Sequence, residues 1–194
     1  MPGAPLTTKE MSKGTWEDFQ RLFEKPGEWG ACWCVYYQRA SPPPSAGMSL
    51  QQRADRNRKD KKSLVDSGDA HGIIVYAGKE PVGWCQYGVS HEIPRIDATR
   101  RYRRLSPDYG GERVWRISCF CTDRKHRGKG VAGVALEGAL RSIKKKGGGV
   151  VEAYPATRRG ALAAWFGTVS MFEKQGFRVA APFGRSNVLM TKTV

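Results

Sequence analysis

Arg113-Val114-Trp115-Arg116-Ile117-Ser118-Cys119-Phe120-Cys121-Thr122 runs directly into Asp123-Arg124-Lys125-His126-Arg127-Gly128-Lys129-Gly130, and a helical pattern starts at once. The first ten residues read as the most convincing strand of the chain. Beyond the glycines, Ala132, Ala135, Leu136, Ala139, Leu140 and Ile143 recur at three- and four-residue steps and form one apolar stripe. The pattern predicts a helix over 131–146. Lys144, Lys145 and Lys146 occupy its last turn, where cations suit the dipole, and Gly147 stops it.

A strand–loop–helix junction of this kind captures anions. The first turn of a helix carries unpaired N–H groups and a partial positive charge. Gly128 and Gly130 clear side chains from that turn and allow backbone angles closed to other residues. Successive N–H groups can then curl around a diphosphate, and Lys125, Arg127 and Lys129 add fixed charge. The GxxxxGK[ST] spacing of a Walker loop is absent, as are the three glycines of a dinucleotide fingerprint.

Outward from the junction, the order is mixed α and β around one sheet. Residues 1–14 read as a loose leader. Thr15 is placed to cap a helix through Phe23, with Asp18 in its first turn and Gly27 and Gly30 ending it. Residues 31–37 (ACWCVYY) read as a strand or buried extended segment, and Ser41-Pro42-Pro43-Pro44 as a stiff linker. Ser49 and Gln52 form a capping box for a helix that ends at Gly68. Its cations, Arg53, Arg56, Arg58, Lys59, Lys61 and Lys62, read as a solvated face. Residues 72–77 and 81–90 form a hairpin, and 91–112 read as irregular and basic. A strand at 150–154, a loop at 155–167, a helix from about 169 to Gln175 and a hairpin across 177–193 complete the chain. The expectation is a single domain, with 1–48 integrated into a core at 49–194.

Thirty-three Lys and Arg stand against 18 Asp and Glu, a net charge of +15 in 194 residues, which favours a polyanionic ligand. No apolar run approaches a membrane span, and the N-terminus lacks the apolar centre of a signal peptide. Five cysteines in apolar stretches read as buried reduced thiols, so a cytoplasmic location is expected.

Lys125-His126-Arg127-Gly128-Lys129-Gly130 resembles the Q/R-x-x-G-x-G/A motif of the GNAT superfamily of acyl-CoA N-acyltransferases, with Lys in the first position. Gly78-Lys79-Glu80-Pro81-Val82-Gly83 is similar to that family's hairpin between its second and third strands. Ser170-Met171-Phe172-Glu173-Lys174-Gln175-Gly176-Phe177 is similar to its last helix and following Gly-Phe. The order agrees from about residue 49 onward, and the CWC segment resembles a bacterial branch of the family. The resemblance implies an α/β GNAT fold with a central mixed sheet. It implies acetyl-CoA as co-substrate and direct attack of an amine on the thioester. Its cofactor residues would be Phe120, Cys121 and Thr122 along the pantetheine arm, Lys125, Arg127, Gly128, Lys129, Gly130, Val131 and Ala132 around the pyrophosphate, and Ser170. Close positioning would supply much of the rate, and a backbone N–H would stabilise the oxyanion.

Many members of that family carry a Tyr, the acid for the leaving thiolate, where this chain has Phe172. Tyr154 is the first alternative acid, ahead of Thr168 and Ser170. Glu152 shares a strand face with Tyr154 among apolar neighbours and is the expected base, with His71 and His91 as competitors. Cys32-x-Cys34 and Cys119-x-Cys121 invite a metal. Within a strand, however, such a pair sets its sulfurs about 6 to 7 Å apart, awkward for chelation, so no metal is expected. Two rival readings are a non-catalytic acyl-CoA sensor and a basic nucleic-acid-binding protein. The second lacks any recognition motif. The amine acceptor is not legible, and a homodimer is compatible with the sequence.

Overall fold

The computed structural model describes residues 5–25, 31–158 and 160–194. Its centre is a seven-stranded sheet in the order β1-β2-β3-β4-β5-β7-β6. The strands are β1 (Leu6–Glu10), β2 (Gly72–Ala77), β3 (Glu80–Val89), β4 (Val114–Thr122), β5 (Val150–Ala153), β6 (Arg178–Pro182) and β7 (Val188–Thr193). β4 and β5 run parallel, and the other neighbours are antiparallel. The helices are α1 (Trp16–Phe23), α2 (Leu50–Ser67), α3 (Arg95–Ala98), α4 (Arg100–Leu105), α5 (Val131–Lys145), α6 (Ala161–Phe166) and α7 (Val169–Glu173).

The two faces of the sheet carry separate cores. Val131, Ala135, Leu136, Ala139, Leu140 and Ile143 of α5 are buried together with Ile73, Val82, Tyr87 and Phe120. The stripe seen in the sequence is therefore the packed face of α5. On the opposite side, Trp16, Phe19, Leu22 and Phe23 of α1 pack with Trp33, Trp84, Cys119 and Cys121. The Phe19 and Trp84 rings meet edge-on at 4.8 Å between centroids. α2 begins with the expected capping box, Ser49 Oγ accepting from the Gln52 N–H and the Ser49 N–H donating to Gln52 Oε1. It ends at Gly68, whose φ of +88° suits only glycine well.

Six expectations need correction. The supposed leader contains β1, which pairs with β2 from Leu6↔Ala77 to Glu10↔Ile73. Leu6-Thr7-Thr8-Lys9-Glu10 is too polar to announce a strand, but polarity is what an edge strand requires. The 31–37 segment is not extended. Trp33 and Cys34 both sit in the left-handed region at φ of +47° and +48°, which folds the run into a compact turn. Residues 91–112 contain α3 and α4, and 155–167 contain α6. The cations of α2 are not all solvated, because Lys61 is fully buried. Thr15 stands at the start of α1, but its hydroxyl makes no cap and donates to the Glu10 carbonyl. The expected stops Gly27 and Gly30 lie outside the described residues.

Candidate active site

The loop after β4 is shaped by Asp123. Its carboxylate accepts from the Lys125 N–H at 2.9 Å and pairs with Lys25 at the end of α1. Burial alone would raise the pKa of this carboxyl. The Lys25 ammonium and the Lys125 N–H outweigh that and hold it below the usual carboxylate range. Gly128 and Gly130 adopt φ of +73° and +80°, and a side chain on either would point into open space. Their backbone angles, not crowding by the protein, call for glycine. Gly130 caps α5 with no side-chain hydrogen bond, and Val134 is the first N–H to bond back, to the Gly130 carbonyl at 3.1 Å. The N–H groups of Val131, Ala132 and Gly133 are thus presented at the mouth of a 15-residue helix. Exposed Lys125, Arg127 and Lys129 surround them. Gly83 on β3 lets this turn approach the sheet, since a Cβ there would lie 2.3 Å from Val131 Cγ1.

β4 and β5 pair only from Val114↔Val150 to Ile117↔Ala153. Beyond Ile117, β4 continues to Thr122 without β5, so a slit opens between them. Asp123 N bonds Val82 O across the β3 ladder. By the alternation of an antiparallel pair, the backbone groups of Phe120 and Thr122 then face the slit, while those of Cys121 face β3. Of the three residues expected along a pantetheine arm, two present their main chain to it, and Cys121 turns its thiol to the opposite core. Ser118 lies at the irregularity where the β3–β4 register shifts. It is 2 % exposed, and its hydroxyl has no hydrogen-bond partner among the described residues. Sequence reasoning missed it. The only signal was a lone hydroxyl residue between apolar neighbours.

Glu152 is fully buried. Tyr102 and Tyr109 donate to its Oε1, both at 2.8 Å, while Arg116 (3.0 Å) and Tyr154 (2.6 Å) donate to Oε2. Arg116 also forms a fork with Asp97 at 2.6 and 2.7 Å and lies over the Tyr102 ring. Four donors occupy the lone-pair sites of the carboxylate, so no oxygen is open to an incoming ammonium group. This geometry runs against Glu152 as the base and makes it the anchor that ties the 91–112 segment to β4 and β5. Tyr154 was correctly placed on the same face. Burial raises its hydroxyl pKa well above that of an ordinary tyrosine, and the Glu152 charge adds to the rise. Phe172 is wholly buried between Phe120 and Phe177. Thr168 caps α7, accepting from the Met171 N–H, and its hydroxyl lies 3.2 Å from that of Ser170. His71 is engaged with Glu92 at 2.9 Å, and His91 is exposed.

Ser118 and Tyr154 meet at the wall of a cavity of about 730 Å³. The cavity is closed by Tyr36 and Tyr37, by Phe166 and by the β6–β7 turn at Phe183–Asn187. Five arginines, Arg95, Arg100, Arg101, Arg104 and Arg185, line it, and no described acid does. None of the five is ion-paired with a described carboxylate. The Arg95 guanidinium stacks on Tyr36 at 4.0 Å, and that of Arg101 lies over Phe183.

A second cluster was not foreseen. The separation of about 6 to 7 Å expected within a strand CxC pair does not hold for Cys119 and Cys121, and the fold brings Cys34 to them. The sulfurs of Cys34, Cys119 and Cys121 all lie within 4.8 Å of one another, and all three residues are buried.

The family model for the acetyltransferase (GNAT) family matches residues 16–177. No protein of curated function matches the sequence. Among solved structures, an agmatine N-acetyltransferase mutant in its apo form superposes with a TM-score of 0.57 at 12 % identity, covering 97 % of this chain and 99 % of that one. An acetyltransferase from Thermus thermophilus gives 0.55 at 15 % identity, with both chains covered in full. A PaiA N-acetyltransferase from Thermoplasma acidophilum, solved with coenzyme A, gives 0.54 at 13 % identity, covering 98 % of this chain and 99 % of that one. At these identities the likeness concerns the fold.

Proposed function

Because the chain belongs to the GNAT acetyltransferase family, we propose that it transfers the acetyl group of acetyl-CoA to the amine of a small anionic acceptor. The observation that carries the acceptor class is the arginine-lined, acid-free cavity at Ser118 and Tyr154. Unpaired guanidiniums around a pocket favour carboxylate or phosphate and repel a second cation.

In this reading, the open N–H groups of Val131, Ala132 and Gly133 seat the coenzyme A diphosphate, with Lys125, Arg127 and Lys129 as counter-charges. The pantetheine arm follows the slit along Phe120 and Thr122. Ser170, at the exposed start of α7, lies outside the diphosphate seat and is proposed only as a contact to the arm. The acceptor enters from the cavity, and its amine, after losing its ammonium proton to solvent, attacks the thioester carbonyl. The tetrahedral intermediate then expels the thiolate. The unpaired Ser118 hydroxyl is placed to orient the amine. Tyr154 remains the proposed proton donor to the thiolate, with Glu152 as its positioning partner.

An amine panel tests this by release of free coenzyme A thiol. Amines bearing an additional carboxylate or phosphate should exceed agmatine and polyamines in kcat/KM by about 100-fold, the sum of one or two charge-assisted hydrogen bonds. Arg104→Ala should narrow that ratio. Preference for a polyamine overturns the anionic acceptor. Acetyl-CoA binding without turnover on any amine overturns catalysis and supports a sensor.

A further inference from the structure

The thiol cluster lies on the face of the sheet opposite α5 and is not used in the transfer reaction. Cys119 and Cys121 project from β4 to one side, as alternation requires. Cys34 reaches them from the 31–37 turn, where two successive non-glycine residues, Trp33 and Cys34, hold left-handed angles. Such angles cost of order 1–3 kcal/mol each and persist where the surroundings impose them. Cys32, two residues before Cys34, lines the adjoining cavity of about 700 Å³ beside Cys34 and Cys119. Three thiols from two distant segments therefore converge, with a fourth cysteine alongside. Tetrahedral thiolate coordination of zinc, with Zn–S of about 2.3 Å, needs sulfurs about 3.8 Å apart. The observed spacing, within 4.8 Å, is a small adjustment from that.

Two further features point to an anionic centre here rather than to packed neutral thiols. Lys61 is completely buried with no carboxylate partner among the described residues. Its ammonium reaches Gln38 Oε1 at 2.7 Å and the Cys34 carbonyl at 3.5 Å, over the rings of Phe19 and Trp84. A lone buried cation is costly unless a negative group lies nearby. Gln86 stands opposite Cys119 in the β3–β4 register and lines the same cavity. It is 1 % exposed, and neither its amide nitrogen nor its oxygen has a partner among the described residues. A thiolate next to it would accept the amide N–H.

We propose that Cys34, Cys119 and Cys121 bind one zinc ion, with the Cys32 thiol turned in as the fourth ligand, and that the ion staples the 31–37 turn to β4. Each thiol releases its proton on binding. A dication with four thiolates leaves a net charge of −2, for which the Lys61 ammonium and the Gln86 amide supply the second shell. Four protein sulfurs close the coordination sphere, so the site is structural. It fixes Tyr36 and Tyr37, which follow directly in the chain and wall the arginine-lined cavity.

The test is elemental analysis of the full chain, produced with zinc in the medium and purified under reductant without chelator. About one zinc per chain is expected, retained in Cys85→Ala and lost in Cys34→Ser. Titration of metal-free protein with cobalt(II) should give the intense visible bands of tetrahedral thiolate ligation. If Cys34→Ser does not fold, Cys32→Ser at the cavity rim should lower zinc affinity by more than the roughly 10–100-fold that loss of a second-shell partner costs. A folded wild-type protein that carries no zinc and gives no tetrahedral cobalt spectrum overturns the proposal. So does zinc retained at full stoichiometry and affinity in a folded Cys32→Ser, Cys34→Ser double variant.

Discussion

Glu152→Gln separates a catalytic base from a structural anchor. The substitution keeps the shape of the side chain and replaces one acceptor oxygen with an NH2 group. In the wild type, Oε1 accepts from Tyr102 and Tyr109, and Oε2 from Arg116 and Tyr154. Whichever way the amide is turned, its NH2 faces two donors. Tyrosine hydroxyls can rotate to accept, but the Arg116 guanidinium cannot, and Arg116 is itself only 1 % exposed. Arg116 would keep Asp97 as a partner. The loss is therefore one arm of a buried ion pair plus mismatched hydrogen bonds, about 3–5 kcal/mol. With a urea slope of about 2 kcal/mol/M, the unfolding midpoint should fall by about 2 M. Urea denaturation followed by tryptophan fluorescence measures this, and acetyl transfer is assayed in buffer without urea. A variant with wild-type stability and a kcat more than 100-fold lower would refute the anchoring role and restore Glu152 as the base.

Gly130→Asp should leave the protein folded and cut acetyl-CoA affinity by at least about 100-fold. A carboxylate at the helix cap fills and repels the diphosphate seat, and Asp tolerates the left-handed angle better than most residues. Calorimetry reads the result. Tyr154→Phe removes only a hydroxyl. If that hydroxyl protonates the thiolate, kcat falls roughly 100-fold or more at unchanged acetyl-CoA affinity, as steady-state kinetics with a good acceptor will show. Asp123 has a depressed carboxyl pKa, so its stabilising contribution is complete above the unfolded value of about 3.9 and is lost as pH falls through the lower folded value. Thermal melts below about pH 4 should accordingly show a shallower acid loss in Asp123→Asn than in the wild type.

Much of the fold was legible because it rests on local rules. The α5 stripe, the Ser49–Gln52 box, the Gly68 stop and the glycine loop after β4 each depend on residues within one or two turns of one another. The proposed diphosphate seat is largely of the same kind, since helix-end N–H groups and two glycines make up its backbone, although Lys25 and Gly83 help to set it in place. Segments that depend on their surroundings were misread. Leu6–Glu10 becomes a strand only because β2 offers an edge, and ACWCVYY is apolar enough for a strand yet is folded by two left-handed residues under the α1 aromatics.

The sequence by itself determined the superfamily, through the resemblance of its motifs, and the glycine loop before α5 and the shared strand face of Glu152 and Tyr154, through periodicity and spacing. Tertiary structure alone decided what those groups can do. Glu152 meets Tyr102, Tyr109 and Arg116 from segments 36 to 50 residues away, which turns an expected base into a saturated anchor. The arginines of α3, α4 and the β6–β7 turn become one cavity wall, and Cys34 joins Cys119 and Cys121 in one cluster across 85 residues of chain, only when the chain has closed. Proximity between distant segments is set by how the layers pack, and no local pattern in the chain encodes it.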